Sequence, residues 1–110
     1  MNNEKKLNYI TLIENAEIYD LVSKTPLSKL EGLSQLNSQH ILIKREDLQD
    51  VHSFKIRGAY NRIKQLNKEE KSKGVIAASA GNHAQGVAVA SKKMGIQATI
   101  VMPNTTPSIK

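Results

Sequence analysis

"VIAASAGNHAQGVAVASKKMGIQATIVM", residues 75–102, decides the fold. Residues 75–80 form a short apolar run bounded by Gly74 and Gly81. Residues 82–95 then place Ala84, Val87, Ala88, Ser91 and Met94 at helical spacing. Lys92 and Lys93 fall in the last turn, where cations favour the helix dipole, and Gly95 stands where a C-terminal glycine belongs. Residues 98–102 are a second apolar run, closed by Pro103. Strand, helix and strand with short links predict a right-handed parallel βαβ unit, so the fold class is α/β.

Working outward, residues 53–66 read as a helix with Ser53 as N-cap and Ile56, Ala59, Tyr60, Ile63 and Leu66 on one stripe. Residues 67–74, "NKEEKSKG", read as a solvated turn, and 40–46, "HILIKRE", as a strand. Residues 31–39 are a polar connection with room for a helical turn, and Leu27 to Leu30 a short strand. Thr11-Leu12-Ile13-Glu14 has the pattern of a capping box, which predicts a helix over 12–22 ended by Thr25-Pro26. Residues 1–9 are polar and expected to be loose. So few strands, with helices on part of the sheet only, leave Val75, Ile76, Ile100 and Val101 partly uncovered.

Composition narrows the classes. Of 110 residues, 39% are hydrophobic and 24% charged, which permits one packed core and argues against wholesale disorder. There is no cysteine, which excludes disulfides and thiolate metal sites in this stretch and fits a reducing compartment. No apolar run approaches the roughly 20 residues that span a membrane. The start, "MNNEKKLNYI", lacks the apolar segment of a secretory signal. A cytoplasmic protein with no membrane partner is expected. The net charge of +6 comes from scattered Lys and Arg without interleaved aromatics, so it reads as a solvated surface and not a nucleic-acid partner. Glu46, Asp47, Asp50 and His52 show no ligand spacing, and His40, His52 and His83 form no cluster, so no metal is expected.

Two stretches carry chemistry. Ser79 to Gly86 joins a strand to a helix, where free N–H groups and the positive dipole end favour an anion. It is not a phosphate-binding P-loop, because Val87-Ala88 stand where Lys-[Ser/Thr] is required. A plain strand–helix turn needing a glycine and an Asn cap accounts for the same residues. Lys55 is flanked by Phe54, Ile56 and Arg57. Apolar groups and a neighbouring cation favour a neutral lysine amine, the form a nucleophile needs. A solvent-facing helix lysine is the bland alternative.

"KREDLQDVHSFKIRGAY" (44–60) and "SAGNHAQGVA" (79–88), taken together, resemble the pyridoxal-phosphate enzymes of fold type II, the tryptophan-synthase-β type. Within them the sequence is most similar to the threonine dehydratases (threonine ammonia-lyases), and Val51-His52 before Ser53-Phe54-Lys55 resembles their biosynthetic branch. The resemblance covers residues 24–110 and leaves 1–23 as an N-terminal extension with a helix. It implies that Lys55 holds pyridoxal 5'-phosphate covalently and takes the substrate's Cα proton, with Phe54 and Asn82 also at the cofactor. Asn82 would bond the cofactor's 3′-oxygen, and Ser79, Ala80, Gly81, Asn82 and His83 would cradle the substrate carboxylate. The implied reaction is loss of water and ammonia from threonine (and serine), giving 2-oxobutanoate from threonine, in isoleucine biosynthesis. Gly58 would let the helix backbone approach the cofactor or a neighbouring strand.

In that family the glycine-rich phosphate grip, the partner of the pyridine nitrogen and the regulatory domain come later than residue 110. The chain is therefore expected to be the N-terminal part of a catalytic domain, silent by itself, from an enzyme that is a homo-oligomer when whole. The competing readings are another fold-type-II enzyme, such as serine racemase or threonine synthase, and an inactive fragment that needs a partner.

Overall fold

The computed structural model describes residues 8–110. Of the stretch 1–9 expected to be loose, residues 1–7 lie outside the described residues, whereas Asn8 caps a helix that Tyr9 opens.

Residues 75–101 form the expected unit: β3 (Val75–Ala78), α5 (Asn82–Met94) and β4 (Ala98–Val101). The strands pair in parallel, Val75 opposite Ala98 and Ala78 opposite Val101. Val75, Ala77, Ala98 and Ile100 turn toward the core. Ile76 is 73% exposed and Val101 is also exposed, so one face of this sheet is bare. The period-2 alternation of a strand explains why only two of the four residues expected to be uncovered are so. Gly95 ends α5 in the left-handed conformation, φ +65, as its place in sequence requires.

α3 (Lys55–Lys64) packs across α5 and buries Ile56, Ala59, Tyr60 and Ile63, with Leu66 half-buried behind them. Because α5 is pressed by α3 on one side and by the strands on another, its buried set is wider than a single stripe. Gly86 and Ala90 join Ala84, Val87 and Ser91 inside, while Ala88, expected inside, faces solvent. Tyr60 and Ile56 are each 1% exposed and Ala90 fully covered, which marks the α3–α5 seam as the centre of the core. Burying a side chain the size of Ile56 contributes about 1.5–3 kcal/mol.

Four local expectations are corrected. The 67–74 stretch is not a turn but a short helix, α4 (Lys68–Lys73). Asn67 Oδ1 accepts the Glu70 N–H at 2.9 Å, and the Glu70 carboxylate accepts the Asn67 N–H at 2.8 Å, a complete capping box. The helix expected over 12–22 is α1 (Tyr9–Glu14), capped by Asn8 and not by Thr11. Beyond it, side chains of the core helix and its neighbour take the backbone groups that a longer helix would use. Lys64 Nζ donates to the Glu17 carbonyl at 2.6 Å, and the Gln49 amide bonds both the N–H and the carbonyl of Ser23. Ile18 and Val22 thereby enter the core.

The strand expected over 40–46 narrows to β2 (Leu42–Lys44), which pairs antiparallel with β1 (Leu27–Lys29) as a separate sheet. The chain then turns into a single 3-10 turn (Glu46–Leu48) that brings the half-buried Glu46 to Arg57. α2 (Glu31–Asn37) fills the polar connection between those strands with two helical turns. Finally, Ser53 is not an N-cap. α3 starts at Lys55 behind Phe54, which is already helical and makes no side-chain cap bond. The turn at 51–54 carries Val51 and Ser53 inward, and the buried Ser53 hydroxyl finds no hydrogen-bond partner.

Candidate active site

Lys55 is the first residue of α3, and Asn82 is the first of α5. The two helix starts are brought together by Gly86. A Cβ on Gly86 would lie 3.1 Å from the Lys55 carbonyl carbon, 3.2 Å from its oxygen and 3.2 Å from the Ile56 nitrogen. Glycine is therefore required for the helices to touch there, a role no local pattern announces. Asn82 and Gly86 are one helical turn apart and share a face of α5. The Lys55 backbone thus lies against the same face that begins at Asn82.

Lys55 itself is exposed, with Nζ 5.0 Å from the centroid of the Phe54 ring, which is 58% exposed. The apolar surroundings expected for it reduce to that ring. Ile56 points away into the core, and the Arg57 charge is engaged elsewhere. Gly58 makes no close approach among the described residues, since a Cβ there would meet nothing within 4 Å. It lines, with Ala59, Ile63, Val75 and His83, a groove of about 320 Å³ between α3 and β3. Of the five residues expected at the substrate carboxylate, His83 lines that groove.

The strand–helix turn is built differently from an Asn-capped one. Gly81 holds the N-cap position, so Asn82 is already helical and its side chain is free of capping. Ser79 does the work from further back, its Oγ accepting the N–H groups of Gly81 (3.3 Å) and Ala84 (3.2 Å). Gly81 has φ −140 and open space where a Cβ would stand, so the positive φ it permits is not used. In an α-helix the N–H groups of the first turn lack intrahelical acceptors, which leaves those of Asn82 and His83 directed out of the helix start. Asn82 Oδ1 accepts from Lys110 Nζ at 2.9 Å, the only part of the tail that reaches this turn among the described hydrogen bonds.

Glu46, which shows no ligand spacing in the sequence, has a place of its own in the structure. Its carboxylate receives both arms of the Arg57 fork, Nε at 2.8 Å and Nη2 at 2.7 Å, together with Thr25 Oγ1 at 2.6 Å and Gln49 Nε2 at 3.3 Å. The Arg57 hydrogen bonds, joined by those of Thr25 and Gln49, outweigh burial and hold the Glu46 carboxyl down to about 2. Asp47 pairs with Arg45 in solvent, and His52 Nδ1 donates to the Asp47 carbonyl at 2.9 Å. Among the described residues no group of three or more His, Asp or Glu is placed to hold a metal ion. Nor is any helix among them long and apolar enough to cross a membrane.

The family model described as "Pyridoxal-phosphate dependent enzyme" matches residues 18–110. The biosynthetic L-threonine dehydratase of Pasteurella multocida is 53% identical over 102 residues, which is 93% of this chain and 20% of that protein. Threonine dehydratase 1 of Solanum lycopersicum, biosynthetic and chloroplastic, is 54% identical over 102 residues, 93% of this chain and 17% of that one. The chain thus spans about a fifth of the length of these relatives. The solved processed form of threonine deaminase isoform 2 from Solanum lycopersicum superposes with a TM-score of 0.88 at 48% identity, covering 99% of this chain and 32% of that one. Maize serine racemase superposes with a TM-score of 0.82 at 39% identity, covering 88% and 30%. With a family match over most of its length and a matching fold, the chain belongs to the pyridoxal-phosphate dependent enzymes.

Proposed function

We propose that this chain is the N-terminal part, over residues 24–110, of the catalytic domain of a threonine ammonia-lyase of the biosynthetic kind, which removes water and ammonia from threonine to leave 2-oxobutanoate. The observation that carries the reading is the seating of the Lys55 backbone on Gly86, one helical turn after Asn82, with the Lys55 side chain exposed at the start of α3. The likeness to biosynthetic threonine dehydratases supports the choice of substrate. The proposal includes the threonine and serine substrates, a place in isoleucine biosynthesis, a cytoplasmic location, a homo-oligomeric whole enzyme, and no membrane or nucleic-acid partner.

The residues present fit pyridoxal phosphate. An accessible primary amine, an aromatic face beside it and an amide N–H2 at a helix start, whose carbonyl oxygen alone is engaged by Lys110, are the donor set that such a group takes. Lys55 would hold it, Phe54 would cover a ring face, and the Asn82 amide would donate to its phenolic oxygen. When bound, the cofactor supplies the electron sink that stabilises negative charge at the substrate's Cα. Lys55, as a free amine, would take the Cα proton from a position fixed by the α3–α5 contact. The N–H groups of Asn82 and His83, the open space at Gly81 and the positive end of α5 bind and orient the carboxylate. Ser79 serves that cradle by shaping the turn from within.

The test uses the full-length enzyme with pyridoxal phosphate. Threonine is expected to yield 2-oxobutanoate, and L-serine to yield pyruvate with no accumulation of D-serine. D-serine as the main product would favour the racemase reading, which the likeness to maize serine racemase keeps in play.

A further inference from the structure

α3 begins without a cap. Phe54 makes no capping bond, and the Ser53 hydroxyl that was in place to cap is buried without a partner. An uncapped helix start frays, because its first N–H groups and first residues are held by little. Yet Lys55 is the first residue of this helix, and on the reading above its amine must be held within a narrow geometry. Gly86 supports the backbone of Lys55 from the α5 side only. The opposite side has to be fixed by something else.

That side carries Arg57. Residues two apart on a helix point nearly opposite ways, so the Arg57 side chain leaves α3 away from Lys55. It closes a two-pronged ion pair with Glu46 on the 3-10 turn, and Nη2 reaches on to the Ser23 carbonyl at 3.3 Å. Glu46 is itself braced by Thr25 Oγ1 and by Gln49. Gln49 is 2% exposed and pins the backbone of Ser23 with both ends of its amide. The pair is therefore the junction of three segments: the irregular stretch preceding β1, the 3-10 turn and the first turn of α3. A bidentate fork fixes orientation as well as distance, which a single lysine charge would not.

We propose that Glu46 and Arg57 are positioning residues for Lys55: their ion pair substitutes for the missing helix cap and sets the direction from which the lysine amine meets the cofactor. The proposal rests on the assignment of Lys55 as the cofactor lysine. It predicts a signature that plain stability would not give. Breaking the pair should loosen the helix start that bears Lys55 before it loosens the α3–α5 core, where Ile56, Tyr60 and Ala90 are buried.

The experiment takes the full-length enzyme as wild type, Glu46→Gln, Arg57→Gln and the double variant, with Asp47→Asn as control. Asp47 lies one residue from Glu46 but pairs with Arg45 in solvent. Pyridoxal phosphate is titrated into each apoenzyme by absorbance, and kcat and KM for threonine and the thermal midpoint are measured. Each single variant is expected to bind the cofactor about tenfold more weakly and to lose about tenfold or more in kcat, with KM for threonine within about twofold. The double variant is expected to be no worse than the worse single, since the two act as one unit. Asp47→Asn should match wild type. Cofactor affinity and kcat unchanged in both singles, whatever the thermal midpoint, would overturn the proposal, as would a fully additive double. If Glu46→Gln fails to fold, Glu46→Asp is read instead: it keeps the charge but withdraws the carboxylate, severalfold weaker cofactor binding is expected, and unchanged binding overturns the proposal. Lys55→Ala, run alongside, separates the two readings. If it still forms 2-oxobutanoate, the cofactor-lysine assignment fails; if it is dead while the Glu46 and Arg57 variants behave as wild type, only the positioning role fails.

Discussion

The backbone of Lys55 rests directly on Gly86, with its carbonyl carbon 3.1 Å from where any side chain at position 86 would begin. Real Cβ contacts are seldom that tight against backbone, which cannot swing aside as a side-chain tip can. The register of α3 against α5, and with it the place of the Lys55 amine, depends on one missing methyl group.

Gly86→Ala is therefore expected to force the two helices apart at Lys55. Alanine regains about 1 kcal/mol of helix propensity. Overpacking against backbone costs about 1–3 kcal/mol, so the net loss of stability should lie between about 0 and 2 kcal/mol. Turnover and pyridoxal-phosphate binding of the full-length enzyme should fall well beyond what that loss explains. Denaturant titration beside a cofactor titration checks this, and wild-type cofactor affinity would refute the seating role.

Gly58 is the contrasting case on the same helix. It is exposed, and a Cβ there would meet nothing within 4 Å. Gly58→Ala should stabilise the protein by about 0.5–1 kcal/mol through the unfolded state, with turnover unchanged. Loss of activity in the full-length enzyme would restore the close approach at Gly58 that the motif alone suggested.

Asn82 and Ser79 should separate by what they affect. Asn82 does not cap α5, so Asn82→Ala is expected to leave the thermal midpoint nearly unchanged while slowing turnover on the order of tenfold, about 1.4 kcal/mol in the barrier. Ser79 Oγ holds the N–H groups of Gly81 and Ala84, so Ser79→Ala should cost on the order of 1 kcal/mol of stability, as cap losses do. Calorimetry and initial rates on the two variants check the division. A large stability loss in Asn82→Ala with unchanged rate would make that residue structural only.

How much of this was legible in the sequence divides along range of interaction. The strand–helix–strand from Val75 to Val101 is readable because its periodicity, end charges and Gly95 are all local and agree. The stripe Ile56, Ala59, Tyr60 and Ile63 is readable for the same reason. α4 is missed because its residues are all polar, and only the pairing of Asn67 with Glu70 signals it. The short α1 is missed because Lys64 and Gln49, distant in sequence, claim the backbone of Glu17 and Ser23. In the site, Lys55 and Asn82 stand out through motifs that resemble a known family. The Glu46–Arg57 pair has no local pattern, since two residues eleven apart in sequence carry no periodic sign of meeting. Within its own helix Gly86 only costs stability, and its reason lies across the seam, in the Lys55 backbone.

Glu46 also gives a pH dependence with a definite sign. Its folded carboxyl is held down to about 2 from an ordinary 4.5, chiefly by Arg57. A group depressed in the folded state stabilises above its unfolded value and loses that contribution as pH falls through its folded value. The Glu46 contribution should thus be complete above about 4.5 and vanish progressively toward about 2. Stability of wild type and Glu46→Gln, measured by urea titration across that window, should converge as pH falls. A constant gap down to the lowest pH would show that the ion pair is not the source.

The most direct measurement of the central reading is chemical trapping on the full-length enzyme. Borohydride reduction in the presence of pyridoxal phosphate, followed by peptide mapping, is expected to place the reduced cofactor on the peptide carrying Ser53-Phe54-Lys55, at Lys55, and the label should be lost in Lys55→Ala. Recovery of the label on any other lysine, with Lys55→Ala still labelled and still producing 2-oxobutanoate, would contradict it.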